Sequence, residues 1–369
     1  MKTSVITLHT VKNYGSVLQT YATQKEFERA GSPVEFVDYW RKDNLDDGLL
    51  RRIVTGSSFW GKDPLRRAIF TAIKFPSIRR QIHVFNGFLK RYIHLSPRRY
   101  LSIEELKKDP PTADLYCTGS DQVWNSDWNA GIEKPYFLEY VPEGGKCIAY
   151  AASFGKEELT HEEMETIRPF LRKYSSIAMR EQSGVRILDE MGFPGNIQIA
   201  DPTLILEADE WKKLMSGRKI RQSYLLVYQL NKNWAFDAYA QRLAKKMGLK
   251  LVRLAYDYHH IFKKGHLVCC PQVEEWISLF YYADFVLTDS FHGTAFSINF
   301  NRQFAVIYPQ KFSGRLSSLL KLTDLESRAV KDFNDLSVAE QRIDYDPVNR
   351  FLSEERIRAN RFLKETLAL

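Results

Sequence analysis

The apolar run Phe285-Val286-Leu287, the polar turn Thr288-Asp289-Ser290-Phe291-His292-Gly293-Thr294 and the second run Gln303 to Tyr308 leave this chain little choice of fold. A short apolar run that feeds a turn and a helix, and then a second run, all within so few residues, is one βαβ unit. Its strands read as parallel and buried. Asp289 or Ser290 can cap the helix, and Gly293 lets another molecule approach the first turn closely. The N–H groups and the dipole at that end suit an anion. In a doubly wound sheet, ligands bind at the carboxyl ends of the strands, where this turn lies. The plain reading is a capped helix with a hydrogen-bonded histidine. Because Ser290, His292 and Gly293 share one strand-to-helix turn, we read it as a ligand site.

The same grammar recurs along the chain. Ser4 to Leu8 reads as a strand, followed by a turn that holds Asn13, Gly15 and Ser16 at the entrance of a helix. Gly31 closes that helix and Val34 to Asp38 is the next strand. The turn lacks the GxGxxG fingerprint of a dinucleotide site, so it is either a polar loop or half of a ligand cleft. Asp114 to Thr118 runs straight into Gly119-Ser120-Asp121-Gln122-Val123-Trp124-Asn125. Cys147 to Gly155 repeats the theme, and Ile177-Ala178-Met179 meets Arg180-Glu181. A guanidinium at that point can fork onto a phosphate or carboxylate, or it holds the turn through Glu181 or Asp201. Ile197 to Ala200 ends the series at Asp201-Pro202-Thr203. After a charged linker helix, 207 to 221, a second series opens at Tyr224 to Gln229. It continues through Leu249 to Leu254 and His266 to Cys270 to the opening unit, and Arg315 begins the helix beyond Tyr308.

A chain of 369 residues exceeds one typical core. The expected fold is α/β: two doubly wound Rossmann-like domains, 1–206 and 207–345, facing across a cleft in the GT-B manner. A C-terminal helix over 346–369 is expected to pack across their boundary.

The net charge of +8 is concentrated. From Arg41 to Lys108 there are 16 Lys and Arg against 6 Asp and Glu. Apolar residues such as Leu49, Ile53, Ile69, Ile73 and Phe85 alternate with them. This reads as two or three basic amphipathic helices inserted in the first domain, with their apolar faces expected to pack. Such a segment suits an anionic glycan carrier or a peripheral membrane contact, or it is simply a solvated basic face. No run is long enough to span a bilayer, and the first residues lack the pattern of a signal peptide. Cytoplasmic placement is expected, either free or peripheral at the inner face of the membrane. Cys117, Cys147, Cys269 and Cys270 form no CxxC pair and read as reduced thiols, and no Cys/His spacing suggests a metal.

Taken in order, Asn13 to Gln19, Gly119 to Asn125, Tyr150 to Gly155, Arg180-Glu181, Asp201-Pro202-Thr203 and Asp289 to Thr294 resemble the polysaccharide pyruvyl transferase family. The resemblance runs from about residue 7 to about residue 322. It implies transfer of a pyruvyl group from phosphoenolpyruvate, as co-substrate and with no cofactor, onto two hydroxyls of one sugar to form a ketal. The acceptor would be a surface polysaccharide or its lipid-linked precursor. On this reading His292 is the general acid, and Asp121 assists the sugar hydroxyls. Arg180, Ser290, Phe291, Gly293 and Arg315 bind the donor. Asn13, Gly15, Ser16, Ser120 and Trp124 face the acceptor. The family commonly carries Arg-x-His where this chain has Ser290-Phe291-His292. Either Arg315 takes over the arginine's role, or it is lost and the serine form suits a different anionic donor. Two other readings stand beside this one. A GT-B glycosyltransferase would place a nucleotide-sugar pyrophosphate at the same helix end; it also calls for an acidic ribose partner at a strand end, for which the sequence offers no clear residue and leaves only Glu274-Glu275 open. A basic binding protein for nucleic acid is disfavoured by the absence of any recognised module.

Overall fold

A computed structural model describes residues 1–309 and 314–368. In chain order the chain forms β1 (Thr3–Ile6), α1 (Tyr14–Arg29), β2 (Val34–Tyr39), α2 (Leu49–Thr55), α3 (Pro64–Tyr92), β3 (Leu95–Tyr100), α4 (Ile103–Lys108) and β4 (Leu115–Thr118). It continues with β5 (Lys146–Ala152), α5 (His161–Leu171), β6 (Tyr174–Met179), α6 (Gln182–Glu190), β7 (Ile197–Gln198) and α7 (Pro202–Ile205). Then follow α8 (Ala208–Leu214), β8 (Tyr224–Tyr228), α9 (Trp234–Met247), β9 (Lys250–Ala255), β10 (His266–Cys269) and α10 (Val273–Tyr281). The last elements are β11 (Phe285–Thr288), α11 (Phe291–Asn299), β12 (Gln303–Val306), α12 (Gly314–Leu322) and α13 (Asp346–Ala368).

The chain divides into two compact units, each with its own parallel sheet. The first contains Met1–Arg41, Leu89–Leu206 and Asn349–Leu369. Its seven strands run β3-β2-β1-β4-β5-β6-β7, so the order reverses beside β1, the arrangement that opens a crevice at the strand ends. The strands are short apolar runs because both faces are covered, and every residue of β1 and β4 is buried. Cys117 and Cys147 lie inside this core, as the sequence suggests, and burial pushes the Cys147 thiol up to about 11.

The second unit contains Lys42–Phe88 and Glu207–Val348. Its five strands run β10-β9-β8-β11-β12. An aromatic cluster supports α11 from behind: Trp276 packs edge-on against Phe296, and Trp211 crosses the same ring at 4.9 Å.

Two sequence expectations are corrected. Residues 42–88, assigned to the first domain, belong to the second unit. The reason lies in α3, where Gln81 Nε2 donates to the Tyr256 carbonyl and Arg80 Nε to that of Cys270. The insertion is also not purely helical. Leu95–Tyr100 forms β3, the edge of the first sheet, and Pro97 with paired arginines hid its strand character. The C-terminal helix belongs to the first unit from Asn349 onward. Glu355 accepts from the Ala200 N–H at 3.1 Å, Arg356 Nε donates to the Ile205 carbonyl, and Phe362 stacks on Tyr150.

Burial raises the pKa of the Glu355 carboxyl, although the Arg358 charge and the Ala200 N–H act against that rise. Replacing Glu355 by alanine leaves the Ala200 N–H unpaired in a buried place. It is expected to lower stability by about 1–3 kcal/mol, read as an earlier thermal transition. Arg358→Ala removes the half-exposed partner of Glu355 and is expected to cost less than about 1 kcal/mol. Equal losses for the two variants would refute this account of how α13 is docked.

Candidate active site

The polar residues singled out in the sequence gather into two sets, one in each unit. In the first unit they sit where β1, β4, β5 and β6 end. Asn13 caps α1 by accepting from the Gly15 N–H at 2.8 Å, and the first helical turn is buried. Ser16 donates from that turn to Asp121 Oδ2 at 3.2 Å. Thr7, just past β1, donates to the Ser120 carbonyl at 2.6 Å and fixes the turn after β4. At Gly119 the packing is tight, since a Cβ would stand 3.0 Å from Val5 Cγ1.

Asp121 occupies an unusual backbone state, with φ of 79°. Left-handed φ is uncommon outside glycine and clusters at functional turns. The neighbouring strand is irregular too: Ala151 has φ of 54°, and the β5–β6 register shifts between Ala149 and Ala152. Bulges of this kind re-aim side chains beside sites. Gly155 adds a close approach, since a Cβ there would fall 2.3 Å from Gln122 Oε1.

Arg180 ties the set together. Its Nε donates to Glu181 at 2.9 Å, and one terminal nitrogen lies 3.0 Å from Asp201 Oδ2 and 3.5 Å from Asp121 Oδ1. The residue is only 3% exposed. Burial alone would lower its pKa, but the charges of Glu181, Asp201 and Asp121 outweigh that and raise it. One guanidinium therefore faces three carboxylates. Asp201 in turn caps α7 through the Thr203 N–H and hydroxyl, and Ser120 Oγ approaches it at 3.4 Å. Excess negative charge here opposes an anion, so Arg180 sits as a salt-bridged holder of the turn and not in the setting expected of a donor-binding cation.

Trp124, expected to face the acceptor, is a core residue. It stacks on Phe137 at 5.3 Å, its edge meets Tyr174, and its N–H donates to the Tyr136 carbonyl. Its position three residues after Asp121 placed it near the turn in sequence, but the turn rotates it inward.

In the second unit the set lies at the end of β11. Thr288 pairs across to Tyr228 and donates its hydroxyl to the Tyr228 carbonyl at 2.7 Å. Asp289 does not cap the helix. Its carboxylate accepts from the N–H groups of Leu230 at 2.7 Å and Asn231 at 2.8 Å, which pins the loop after β8. Burial raises its pKa against the pull of those hydrogen bonds. Ser290 is the cap and accepts from Gly293 N–H at 3.3 Å. Gly293 also answers a packing need, since a Cβ would meet Thr288 Oγ1 at 2.6 Å. It lets α11 lie close on β11.

Phe291 and His292 occupy the first turn of α11, with their rings edge to face at 5.2 Å. The Arg315 guanidinium, from α12, stands over the Phe291 ring at 5.8 Å. Ser290, Phe291, His292, Gly293 and Arg315 are thus brought together. Among the described residues no group of three or more His, Cys, Asp or Glu could hold a metal ion.

Comparison with known proteins bears on fold and family. No curated protein sequence matches the chain. Among solved structures, a protein assigned as a UDP-N-acetylglucosamine 2-epimerase from Listeria monocytogenes superposes with a TM-score of 0.55 at 11% identity, covering 98% of this chain and 95% of that one. The UDP-N-acetylglucosamine 2-epimerase of Neisseria meningitidis, bound to UDP-GlcNAc, gives 0.51 at 10% identity over the whole of both chains. These likenesses establish a GT-B-like α/β fold and nothing about substrate. The model of the polysaccharide pyruvyl transferase family matches residues 13–311, which takes in both residue sets apart from Thr7 and Arg315, so this chain belongs to that family of enzymes.

Proposed function

We propose that this enzyme transfers the pyruvyl group of phosphoenolpyruvate to two hydroxyls of a sugar in a surface polysaccharide or its lipid-linked precursor. The observation that carries the reading is Arg315 over Phe291, beside His292 at the N-terminus of α11. Family members commonly hold an arginine two residues before the histidine, where this chain has Ser290. Here a cation reaches the same turn from α12. A helix N-terminus and a guanidinium suit a donor that carries both a phosphate and a carboxylate.

The reaction needs an acid first. His292 donates a proton to the methylene carbon of the enol, and the adjoining carbon becomes an oxocarbenium-like centre. One sugar hydroxyl attacks that carbon. The carbon–oxygen bond to phosphate then breaks, and the second hydroxyl closes the ketal. Two hydroxyl protons are released overall, one replacing the proton spent on the methyl group and one leaving with phosphate. Asp121 assists hydroxyl deprotonation, and Ser16 and Arg180 fix its carboxylate. Asn13, Gly15 and Ser120 shape the acceptor side around it. Arg180 acts as a positioning residue, because a cluster rich in carboxylates favours hydroxyls over anions.

The test is a thermal-shift titration with phosphoenolpyruvate, UDP-sugars and GDP-sugars, followed by turnover assays. Phosphoenolpyruvate is expected to raise the melting temperature of the wild type. Arg315→Ala is expected to weaken its binding about tenfold to a hundredfold, the worth of one charge-assisted contact. His292→Ala is expected to lower kcat by about a hundredfold to ten-thousandfold. A shift with a nucleotide sugar alone would overturn the proposal in favour of a glycosyltransferase.

Arg180→Ala separates positioning from donor binding. It leaves three buried carboxylates without their counter-charge and is expected to destabilise the fold by about 3–5 kcal/mol. Unchanged stability with a raised KM for phosphoenolpyruvate would instead make Arg180 a donor ligand.

A further inference from the structure

The N-terminal half of α3 is amphipathic, yet its apolar stripe is turned away from the protein. Leu65, Ile69 and Ile73 are spaced four apart and share one helical face. They are 71%, 45% and 39% exposed. The helix is held by its other end and face. Ser77 accepts from the Tyr258 N–H at 3.0 Å, and Ile78, Val84 and Phe85 are buried. Lys74 pairs with Asp257 at 2.7 Å and holds the neighbouring turn Tyr258–Phe262, where Ile261 and Phe262 are 68% and 91% exposed. Scattered apolar residues on a surface are ordinary, but a stripe at helical spacing beside a second apolar tip marks a contact surface.

Charge selects the occupant. From Gly48 to Phe88 the chain carries eight Lys and Arg and a single acidic residue, Asp63. A symmetric contact with a second copy would set this basic segment against itself. A nucleic acid would use the cations and leave the aliphatic stripe wet. An anionic bilayer uses both, with apolar side chains in the interfacial layer and cations at the headgroup phosphates. We propose that the exposed stripe of α3, with the Ile261–Phe262 tip, docks this enzyme on an anionic lipid surface. The purpose of the contact, presentation of a lipid-linked acceptor, rests on the transferase reading above, but the contact itself is measurable without any substrate.

The experiment is co-sedimentation of the full chain with phosphatidylcholine vesicles, with and without phosphatidylglycerol, and of the double variant Ile69→Glu with Ile73→Glu. Both positions are exposed, so the fold is expected to tolerate the change. The wild type is expected to bind only the anionic vesicles, and more weakly as salt rises. The variant is expected to bind at least about tenfold more weakly, having lost two inserted side chains and gained two repelled charges. Its thermal shift with phosphoenolpyruvate and its turnover of a soluble acceptor are expected to match the wild type. A wild type that ignores anionic vesicles, or a variant that binds them equally, would overturn the proposal. So would a variant that loses soluble-acceptor turnover, because its fold would then be disturbed. Absence of any phosphoenolpyruvate shift in the wild type would sink the transferase reading and leave the membrane result standing.

Discussion

The buried guanidinium of Arg180 is the constraint on which the first unit's polar centre depends. An ion taken out of water costs several kcal/mol unless it is met by opposite charge in good geometry. Glu181 and Asp201 meet it at hydrogen-bond distance, and Asp121 stands slightly farther off. Each carboxylate arrives from a different place: the end of β4, the end of β6 and the cap of α7. Satisfying one charge therefore fixes three turns relative to one another. Docking of α13 extends the same chain of constraint, because Glu355 holds the N–H of Ala200, the residue before Asp201. A helix near the end of the sequence thereby helps to set the carboxylate that holds Arg180.

The second unit fixes the turn after β11 with hydrogen bonds to backbone groups. Asp289 spends its carboxylate on two backbone N–H groups of the loop after β8. Thr288 spends its hydroxyl on the Tyr228 carbonyl, and Gly293 removes the one side chain that would hold α11 away from β11. These contacts settle where the first turn of α11 begins, and so where His292 stands. In both units the candidate residues are held in place by neighbours buried among the strand ends.

Much of this was legible in the sequence, for definite reasons. Parallel strands covered on both faces must be short apolar runs, so β1, β2, β4, β5, β6, β8, β9 and β11 stood out by composition alone. The edge strand β3 did not, because an edge tolerates Pro97 and two arginines. Ser290, His292 and Asp121 drew attention because they follow buried strands, yet two of them also have structural work: Ser290 caps α11 and Asp121 faces Arg180. What spacing along the chain could not convey was direction. Trp124 follows Asp121 closely and still points into the core, and Gly293 serves the strand beneath it. Nor could periodicity tell which face of α3 is covered. The apolar stripe was plain, but only the hydrogen bonds of Arg80 and Gln81 reveal that the buried side is the other one.

The exchange of arginine for serine before His292 has a physical logic within the proposed donor site. An arginine at the cap position brings charge but cannot accept a helix N–H. Ser290 does accept one, from Gly293, a contact that contributes about 1 kcal/mol to a helix start. Capping uses one of the N–H groups that would otherwise point at an anion, so a capped end alone is the weaker anion site. Arg315 offsets that loss from α12, where its position over the Phe291 ring costs α11 nothing. In the arginine form the charge sits in the turn and the cap is forgone; here Ser290 supplies the cap, and the charge stands on a second element. The division makes the site depend on the packing of α12 beside α11, a dependence that an arginine within the turn would not create.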